Sequence, residues 1–342
     1  MIKYLIPKEG QFYKANMHAH TVISDGRLTP EEMKQIYKSK GYSILAYTDH
    51  EVMVPHPELA DEDFLPINSY ELSIVQDGHK WSADVKCYHL NFYSPAIDMT
   101  LTKTFCPCRV QREHSKAYVT EEMRSVGMKS VTYSRDFVQK LIDIATEEGF
   151  LVCYNHPVWS LQNHEDYSGL KGLWGVEWFN YGNSRSGYYE SMQPITDLLN
   201  EGNRMVYPIA ADDSHSEASA FGGFINVKAR ALTYDDVFEA LRKGEFYSSN
   251  GPELYELYID DGVLYLKCSP AKSVLVTSDR RFAVRRDAAK NEYVIETEID
   301  ISKYLEICRQ SSDPSRGYIR IDVEDEYGKV ARSRAYFVDE LV

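Results

Sequence analysis

Short apolar runs alternate with helix-type patterns along most of the chain. The first apolar run, residues 13–20, predicts a strand. A helix is predicted to begin after Thr29, because threonine is a good N-cap, a proline follows it and Glu32 completes a capping box. Gly41 predicts the end of this helix, and residues 43–48 predict the next strand. This order is that of a β-α-β unit, whose strands normally pair in parallel.

The same alternation recurs further along the chain. Four more apolar runs predict strands at residues 86–93, 151–154, 175–179 and 205–210. Capping residues and helical spacing predict two more helices, from Ser134 to Gly149 and from Thr233 to Gly244. Repeated βα units of this kind predict either a barrel or a doubly wound sheet.

Residues 94–133 interrupt the alternation. They contain Pro95, Pro107, two closely spaced cysteines and several basic residues, with only patchy periodicity. A long segment of this kind inside a domain is often a lid or a substrate-binding loop. We therefore interpret residues 94–133 as an insertion with such a role.

After residue 252 the pattern changes to short strands separated by turns. Strands are predicted at residues 255–266, 274–276, 292–299, 318–323 and 332–338. Such a series is typical of a small all-β, sandwich-like domain. The predicted organisation is an α/β domain at residues 1–252 and a β domain at residues 253–342, with a role in packing favoured for the second.

Composition narrows the possible partners. The chain has 342 residues and a formal net charge of -14, and a surface of that charge repels nucleic-acid backbones. No run approaches the roughly 20 apolar residues that cross a bilayer, and the N-terminal segment lacks a signal-peptide core. The six cysteines are dispersed, as is typical of free thiols in a reducing compartment. We therefore expect a cytoplasmic protein with no membrane partner and no bulk nucleic-acid partner, while oligomeric state is not indicated.

Six of the ten histidines lie beside carboxylates, mostly at the ends of predicted strands. His18 and His20 are two residues apart in a predicted strand, so both can reach one metal ion. The other fragments are Asp25, Thr48-Asp49-His50, Glu71, His89, Asn155-His156-Pro157 and Asp213-Ser214-His215. Each fragment alone has an ordinary explanation as a strand histidine, a turn or a helix cap.

The combination of these fragments indicates a metal site. The strands of a parallel α/β barrel present their carboxyl ends to one face, where the active sites of such folds lie. Many imidazoles and carboxylates in one pocket without a cation would be costly, because like charges repel and burial disfavours charge. Divalent cations remove that cost, and mixed imidazole and carboxylate ligands are compatible with Zn, Mn or Fe.

In order and spacing, the fragments resemble the motifs of the PHP (polymerase and histidinol phosphatase) superfamily. The resemblance covers about residues 11–252 and extends to the segment GEFYSSNGP at its end. The matching motifs are His18-Ala19-His20, Ser24-Asp25-Gly26, Thr48-Asp49-His50, Glu71, His89, His156-Pro157 and Asp213 with His215. The departures from the usual pattern are Ser69, Asn155 and Asp212, and none of them removes a ligand.

The resemblance implies a distorted (β/α)7 barrel with two or three divalent ions, Zn, Mn or Fe, at the carboxyl ends of its strands. It implies one ion at His18, His20, Glu71 and Asp213, a second at His89 and His156 that shares Glu71, and a third at Asp25, His50 and His215. Glu71 and Asp49 are the catalytic candidates. Asp49 is interpreted as a residue that orients an imidazole, with turn capping as an open alternative.

The implied activity is that of a metal-dependent phosphoesterase, in which metal-activated hydroxide cleaves phosphomonoesters or diesters of a small molecule or nucleotide. A small anionic, phosphorylated substrate requires positive charge near the mouth of the site. Arg185, which follows a predicted strand, is the substrate-binding candidate. Arg109, Arg112 and Lys116 in the insertion are further candidates, with a solvated surface position as the alternative for each.

Two other functions remain open. A hydrolase acting on a carbon centre, such as an ester, amide or carbamate, could use the same activated hydroxide. Trp159, Trp174, Trp178 and Tyr181 could line an aromatic pocket for such a substrate, although core packing explains them equally well. The third possibility is a non-catalytic protein whose β domain binds a carbohydrate or another protein.

Overall fold

In the computed structural model, which describes residues 2–76 and 82–342, strands and helices alternate first and strands predominate later. The described strands are β1 Lys3–Tyr4, β2 Gln11–Asn16, β3 Ile44–Tyr47, β4 Leu65–Val75, β5 Cys87–Tyr93, β6 Leu151–Tyr154, β7 Gly175–Asn180, β8 Tyr207–Ala211, β9 Phe224–Ala229, β10 Phe246–Ser249, β11 Leu254–Asp260, β12 Val263–Ala271, β13 Ser273–Ser278, β14 Ala283–Asp287, β15 Val294–Asp300, β16 Tyr318–Glu324, β17 Val330–Arg332 and β18 Tyr336–Phe337. The described helices are α1 Pro30–Ser39, α2 Glu113–Lys116, α3 Glu121–Val126, α4 Arg135–Glu147, α5 His164–Tyr167, α6 Tyr181–Arg185, α7 Gln193–Asn200, α8 Tyr234–Lys243, α9 Ser302–Arg309 and α10 Val338–Leu341.

The three helices predicted from their capping residues are confirmed. At the start of α1, the Thr29 hydroxyl accepts from the Glu32 amide, and the Glu32 carboxylate accepts from the Thr29 amide. Ser134 caps α4 in the same way, by accepting from the third residue of the helix. Gly244 ends α8 in a left-handed conformation that glycine adopts without strain.

A long mixed sheet contains strands from the first 250 residues and from the C-terminal part. Its order is β14-β13-β16-β17-β10-β9-β2-β3-β4-β5-β6-β7-β8, with β18 paired to β16. The strands β2, β3 and β4 are mutually parallel, and so are β6, β7 and β8. β5 is antiparallel to both β4 and β6, so six of these seven strands point their carboxyl ends towards one side of the sheet.

The pairing of the sheet does not include the ladder that would close the implied distorted (β/α)7 barrel. Between the residues that follow β2 and those that follow β8, the described part of the chain forms one isolated parallel bridge, Ala19 to Ser214, in place of a ladder. The antiparallel direction of β5 is a second difference from an all-parallel barrel. The bridge still brings the end of β8 beside the residues that follow β2, because the Ser214 carbonyl accepts from the His20 amide at 2.8 Å.

The C-terminal part is not entirely β-structure. Helix α9 lies between β15 and β16, and it buries Tyr304, Leu305 and Cys308 on one face. This spacing is helical, so the pattern of apolar residues was present in the sequence between the predicted strands. A second, four-stranded sheet has the order β1-β11-β12-β15 and places the first strand of the chain on the C-terminal part.

Residue 252 does not interrupt the sheet or the core. β10 pairs on one side with β9 and on the other with β17, which comes from the C-terminal part. A single hydrophobic cluster includes Leu45 of β3 together with Leu257 of β11 and Ile321 of β16. The predicted division at residues 252 and 253 therefore falls inside one packed assembly of strands.

Residues 94–133 form irregular backbone and short helices over the loop that follows β2. The Ser115 hydroxyl donates to the Ile23 carbonyl at 2.8 Å. Ile23 also belongs to a small hydrophobic cluster with Phe105, Val110 and Met123 of the insertion. The insertion thus shares a small apolar cluster with residues outside it, Ile23 and Val52, at this end of the sheet. No helix in the described part of the chain is both long and apolar enough to span a bilayer.

Candidate metal centre

Side chains from several strand ends converge where the six parallel carboxyl ends meet. His18 and His20 lie just beyond β2, where the backbone has left the ladder with β3. Glu71 lies within β4 and His89 within β5. The remaining members come from the residues after β3, β6 and β8 and from the loop before α1: His50, His156, Asp213, His215 and Asp25. The structure therefore brings together all nine residues for which the sequence predicts metal binding.

Glu71 lies at the centre of this cluster and is buried. Its Oε1 atom is 3.0 Å from His89 Nδ1 and 3.4 Å from the Nε2 atoms of both His18 and His156. Its Oε2 atom is 3.1 Å from His50 Nδ1 and 3.5 Å from His20 Nε2. One carboxylate thus contacts five imidazoles, which is the arrangement expected of a ligand shared between cations.

Asp213, which follows β8, contacts three of the same imidazoles. Its Oδ1 atom is 3.1 Å from His20 Nε2 and 3.3 Å from His18 Nε2, and its Oδ2 atom is 3.7 Å from His156 Nε2. The backbone of Asp213 has a φ of 52°, a left-handed conformation that aspartate tolerates better than most residues. We call His18, His20, Glu71, His89, His156 and Asp213 the inner group.

Asp25, His50 and His215 form an outer group nearer the surface. Asp25 Oδ1 is 3.5 Å from His215 Nε2 and 3.8 Å from His20 Nδ1, and Asp25 Oδ2 is 3.7 Å from His50 Nε2. Arg112 of the insertion donates to Asp25 Oδ2 at 2.5 Å. His20 therefore faces both groups, with Nε2 towards the inner one and Nδ1 towards the outer one.

The donor atoms fit divalent cations. Four sets of three or four of these side chains, one of which also includes Glu177, have donor atoms that all lie within 4.8 Å of one another. Among the described residues, buried His20 Nδ1 has no hydrogen-bond partner, although it points at the outer group. Nε2 atoms of His18 and His20 face each other at 3.2 Å, a contact at which a proton or a cation is required. Imidazole nitrogen and carboxylate oxygen together are suitable ligands for Zn, Mn or Fe.

The pKa shifts show how protons balance the negative charges of the cluster. Burial by itself would lower the pKa of His18, but the carboxylates of Asp213 and Glu71 outweigh it and raise that pKa well above its ordinary value. For His50, burial and the neighbouring His20 together lower the pKa well below the ordinary value. Glu71 has a pKa held well below its ordinary value, because the nearby imidazoles outweigh its burial. Protons on some imidazoles therefore compensate the carboxylates where cations would otherwise do so.

Glu177 is a member of the site that the sequence motifs did not reveal. It is buried in β7, and its Oε1 atom lies 2.8 Å from His18 Nδ1. Its Oε2 atom accepts from the His156 amide at 3.0 Å and from Asn180 Nδ2 at 3.0 Å. The signal in the sequence was a glutamate between apolar residues of a predicted strand. Such a glutamate indicates a nearby partner, since an unpaired buried carboxylate is costly. Glu177 fixes the His18 ring so that Nε2 faces the inner group.

Asp49 contacts the loop rather than an imidazole. Its Oδ1 atom accepts from the amides of Thr21 and Ser24 and from the Ser24 hydroxyl, at 2.6 to 3.1 Å. Its Oδ2 atom accepts from the Thr21 hydroxyl at 2.8 Å. These hydrogen bonds agree with turn capping, the alternative role for Asp49 that the sequence left open. Asp49 fixes the loop between His20 and Asp25, and the described contacts give it no direct part in the chemistry.

Asp212 has the same kind of role beside Asp213. Its carboxylate accepts from the amides of Phe221, Gly222 and Gly223 at 2.7 to 2.8 Å, and from the Tyr37 hydroxyl. Burial raises the pKa of Asp212 to about 6 in spite of these bonds. The aspartate that replaces the more usual serine thus ties the turn after β8 to the segment leading into β9.

A cavity of about 600 Å³ opens onto the cluster. Its wall includes Arg109, Gln111 and Arg112 from the insertion, together with Trp159 and Asn183. Trp159 makes edge contacts with His89 and His156. The insertion therefore supplies two guanidinium groups to the wall of the cavity that contains the metal-ligand candidates.

Some of the sequence candidates lie elsewhere. Arg185 is exposed and lies over the Tyr181 ring, outside the cavity wall, because α6 turns its side chain towards solvent. Lys116 is also exposed and pairs with Glu113. Trp174 and Trp178 are buried, and their ring N–H groups donate to Leu241 and Ser248 respectively. Their position agrees with the packing explanation.

Comparison with protein-family models gives no match, and no curated protein matches the sequence. Among solved structures, the chain is similar to a two-domain protein of Bacteroides vulgatus, named as containing a predicted PHP-like metal-dependent phosphoesterase. The two are 12% identical over 98% of each chain, with a TM-score of 0.45. A structure from Bifidobacterium adolescentis, named as a metal-dependent phosphoesterase, is 16% identical over 69% of this chain and 96% of that one, with a TM-score of 0.40.

A third similar structure is an amidohydrolase of Chromobacterium violaceum with bound sulfate. It is 15% identical over 68% of this chain and 96% of that one, with a TM-score of 0.38. The name PHP-like among these structures is that of the superfamily which the sequence motifs resemble. At these identities and TM-scores the likeness carries no conclusion about chemistry, which depends on the residues of the site itself.

Proposed function

We propose that this protein is a metal-dependent phosphoesterase that cleaves phosphomonoesters or diesters of a small molecule or nucleotide. The observation that supports the proposal most directly is the convergence of six imidazoles and three carboxylates around Glu71. The second support is the pair of arginines in the wall of the same cavity. Cations and guanidinium groups at one site suit a substrate with several anionic oxygens.

The site would hold two or three divalent ions, Zn, Mn or Fe. The inner group provides enough donors for two ions that share Glu71, and the outer group with His20 provides a third set. When bound, such ions stabilise charge on phosphoryl oxygens and allow water to act as the nucleophile at neutral pH. Glu71 and Asp213 hold the inner imidazoles in register, while Glu177 orients His18 and Asp49 orders the loop that carries Asp25.

In this proposal, Arg109 and Arg112 bind the phosphate, and Arg185 does not. Arg109 is almost fully buried, and its Nη2 donates to the Ser73 hydroxyl at 3.0 Å. The Ser73 hydroxyl in turn donates to Glu51 Oε1 at 2.5 Å, so the guanidinium has a defined position. Arg112 lies at the rim on Asp25 and is half-exposed. A buried arginine and a half-exposed one can together bind the oxygens of a phosphoryl group.

A carbon-centred hydrolase is the second candidate function. Trp159 favours it, because this large ring lies in the cavity wall against two of the metal-ligand candidates. The two arginines in the cavity wall favour the phosphoesterase more strongly, since a phosphate provides several anionic oxygens for guanidinium groups to bind and a simple ester or amide does not. The net charge of -14 also favours a small substrate over a long nucleic acid.

The deciding experiment is hydrolysis of a chromogenic phosphomonoester and a chromogenic phosphodiester by protein reconstituted with Mn or Zn. We expect cleavage that is lost in His20→Ala and retained in His164→Ala, whose histidine is exposed on α5 away from the cluster. Metal content is measured on the same samples. Bound metal without cleavage of either compound, but with cleavage of carboxylic esters or amides, would replace this proposal with the carbon-centred one.

The role of the arginines is tested separately with Arg109→Gln and Arg185→Gln. We expect Arg109→Gln to raise KM about tenfold or more, since a hydrogen bond to a charged group contributes about 1.5–3 kcal/mol. Arg185→Gln is the matched control and should leave KM unchanged. Equal effects of the two substitutions would show that Arg109 does not bind the phosphate.

A further inference from the structure

Two cysteines of the insertion lie side by side. Cys106 and Cys108 flank Pro107 at the start of a short 3-10 turn that ends at Arg109. Their Sγ atoms are 2.7 Å apart, which approaches the bonded separation of about 2.05 Å in a disulfide. All six cysteines of the chain are free, and Cys108 is the exposed one, whereas Cys106 is buried.

The turn that carries these sulfurs also carries a residue of the cavity wall. Arg109 follows Cys108 directly, and its guanidinium donates to the Ser73 hydroxyl of β4. The regular structure of this segment is a single 3-10 turn, in which the Arg109 amide donates to the Cys106 carbonyl. A covalent link between the two sulfurs would therefore act on the segment that positions Arg109.

We propose that Cys106 and Cys108 form a reversible disulfide that fixes the turn carrying Arg109. The oxidant is a small-molecule disulfide such as oxidised glutathione. The Cys108 thiolate attacks it, forming a mixed disulfide and releasing one glutathione thiol. Cys106 then loses its proton to solvent and attacks Cys108 Sγ, which releases the second glutathione thiol. Two protein thiols are oxidised to one disulfide, and one glutathione disulfide is reduced to two thiols.

The difference in burial between the two cysteines assigns these roles. The exposed Cys108 meets the reagent first, and the adjacent Cys106 completes the exchange. Burial, together with the neighbouring Cys108, raises the pKa of Cys106 to about 12, which disfavours Cys106 as the first attacking thiolate. Since the sulfurs already touch, bond formation requires little movement of the turn.

The kinetic consequence rests on the proposed function. Arg109 already donates to Ser73, and a closed turn adds a restraint on the backbone that carries it, so less freedom is lost when a phosphate binds. Immobilising one side chain costs about 0.5–1.5 kcal/mol, which corresponds to a KM lower by about two- to tenfold in the oxidised enzyme. The value of kcat should stay the same, because the cluster around Glu71 is not altered.

The covalent step is tested on the Mn-loaded protein, incubated with oxidised glutathione and digested without reduction. We expect the peptide containing both cysteines to lose two hydrogen atoms in mass and to regain them with dithiothreitol. Cys106→Ser should keep a glutathione adduct on Cys108, and Cys108→Ser should remain unmodified. A stable glutathione adduct on the unsubstituted protein, or the same adduct in Cys108→Ser, would overturn the proposal.

The effect on Arg109 is tested by comparing KM before and after oxidation in the unsubstituted protein and in Cys108→Ser. A decrease confined to the unsubstituted protein supports the proposal, and equal KM values in all samples would overturn the link to Arg109. If the protein cleaves no phosphate ester, calorimetric binding of inorganic phosphate replaces KM. The mass measurement remains valid in either case, so failure of the disulfide and failure of the phosphoesterase are distinguishable.

Discussion

The inner and outer groups of the metal centre use the same residue types but differ in their supports. Glu71 is buried within β4, and His18 is buried beyond the end of β2, where the Glu177 carboxylate holds its ring. In the outer group, the side chains of His215 and Asp25 are 39% and 32% exposed. Asp25 lies on a loop and already pairs with Arg112. The difference indicates that rigid inner donors should bind cations tightly, whereas the outer set should exchange its cation with solvent.

The largest expected effect comes from Glu71→Gln, which removes the charge shared by five imidazoles. We expect the hydrolysis rate to fall by about a thousandfold or more, as for loss of a principal catalytic group. Bound metal should fall together with activity in both groups, because Glu71 also contacts His50. Elemental analysis and initial rates are measured on the same sample. Full activity in this variant would contradict the central role of Glu71.

Glu177→Gln tests whether the carboxylate that supports His18 contributes to metal binding by the inner group. The amide keeps the shape but loses the charge that orients His18, so metal affinity should fall by about 10–100-fold. Titration against a competing chelator measures that affinity. Glu190→Gln serves as a control, because Glu190 is a partly buried carboxylate that accepts from the amides of Val158 and Trp159 and is not among the metal-ligand candidates. Equal losses in both variants would indicate a general effect of buried charge.

Asp25→Asn tests whether the outer group is separable. We expect loss of the outer cation alone, with the inner cations retained and the rate lowered by about tenfold, since one charged ligand contributes less than the shared centre. The measurement is metal content per chain before and after gel filtration. Complete loss of metal in this variant would show that the two groups bind as one cooperative unit.

The smallest expected effect is a dependence of thermal stability on pH. Burial alone would lower the pKa of His215, but Asp25 and Asp213 raise it from 6.5 to about 9. Protonated His215 thus stabilises the metal-free fold below pH 6.5, and this contribution is lost as the pH rises towards 9. Over the same range metal binding strengthens, because protons no longer compete with it.

The difference in Tm between Mn-loaded and metal-free protein should therefore increase from pH 6.5 to pH 9. His215→Asn should reduce that increase without removing it, since His18 and His89 also have raised pKa values. An increase of the same size in His215→Asn and in the unsubstituted protein would show that His215 does not bind the cation.

Local patterns predicted much of this molecule. The caps at Thr29, Ser134 and Thr233 depend only on neighbouring residues, and the three helices begin where these caps indicated. The strand at residues 151–154 was also predicted correctly, because its apolar run is short and bounded. Where one residue type at one spacing determines the outcome, the sequence is sufficient.

Features that depend on pairing between strands distant in the sequence were harder to predict from local patterns. The antiparallel direction of β5 follows from its pairing with both β4 and β6, and no local pattern records it. Arg185 satisfied the sequence criterion for a substrate residue, yet the direction of α6 turns it to solvent, while Arg109 reaches the cavity from an irregular segment. The contribution of Glu177 likewise appears only when β7 lies beside the residues after β2.

The pairing of β10 with β17 ties assembly of the metal centre to the progress of translation. Until Val330–Arg332 has left the ribosome, β10 is an edge strand whose backbone N–H and C=O groups are open to other chains. β1 likewise lacks its partner until β11 has been synthesised. Although N-terminal regions generally fold first during synthesis, this sheet obtains its last neighbours from the far end of the polypeptide. Metal loading should therefore follow synthesis of β17, and chaperones have an exposed edge to protect before then.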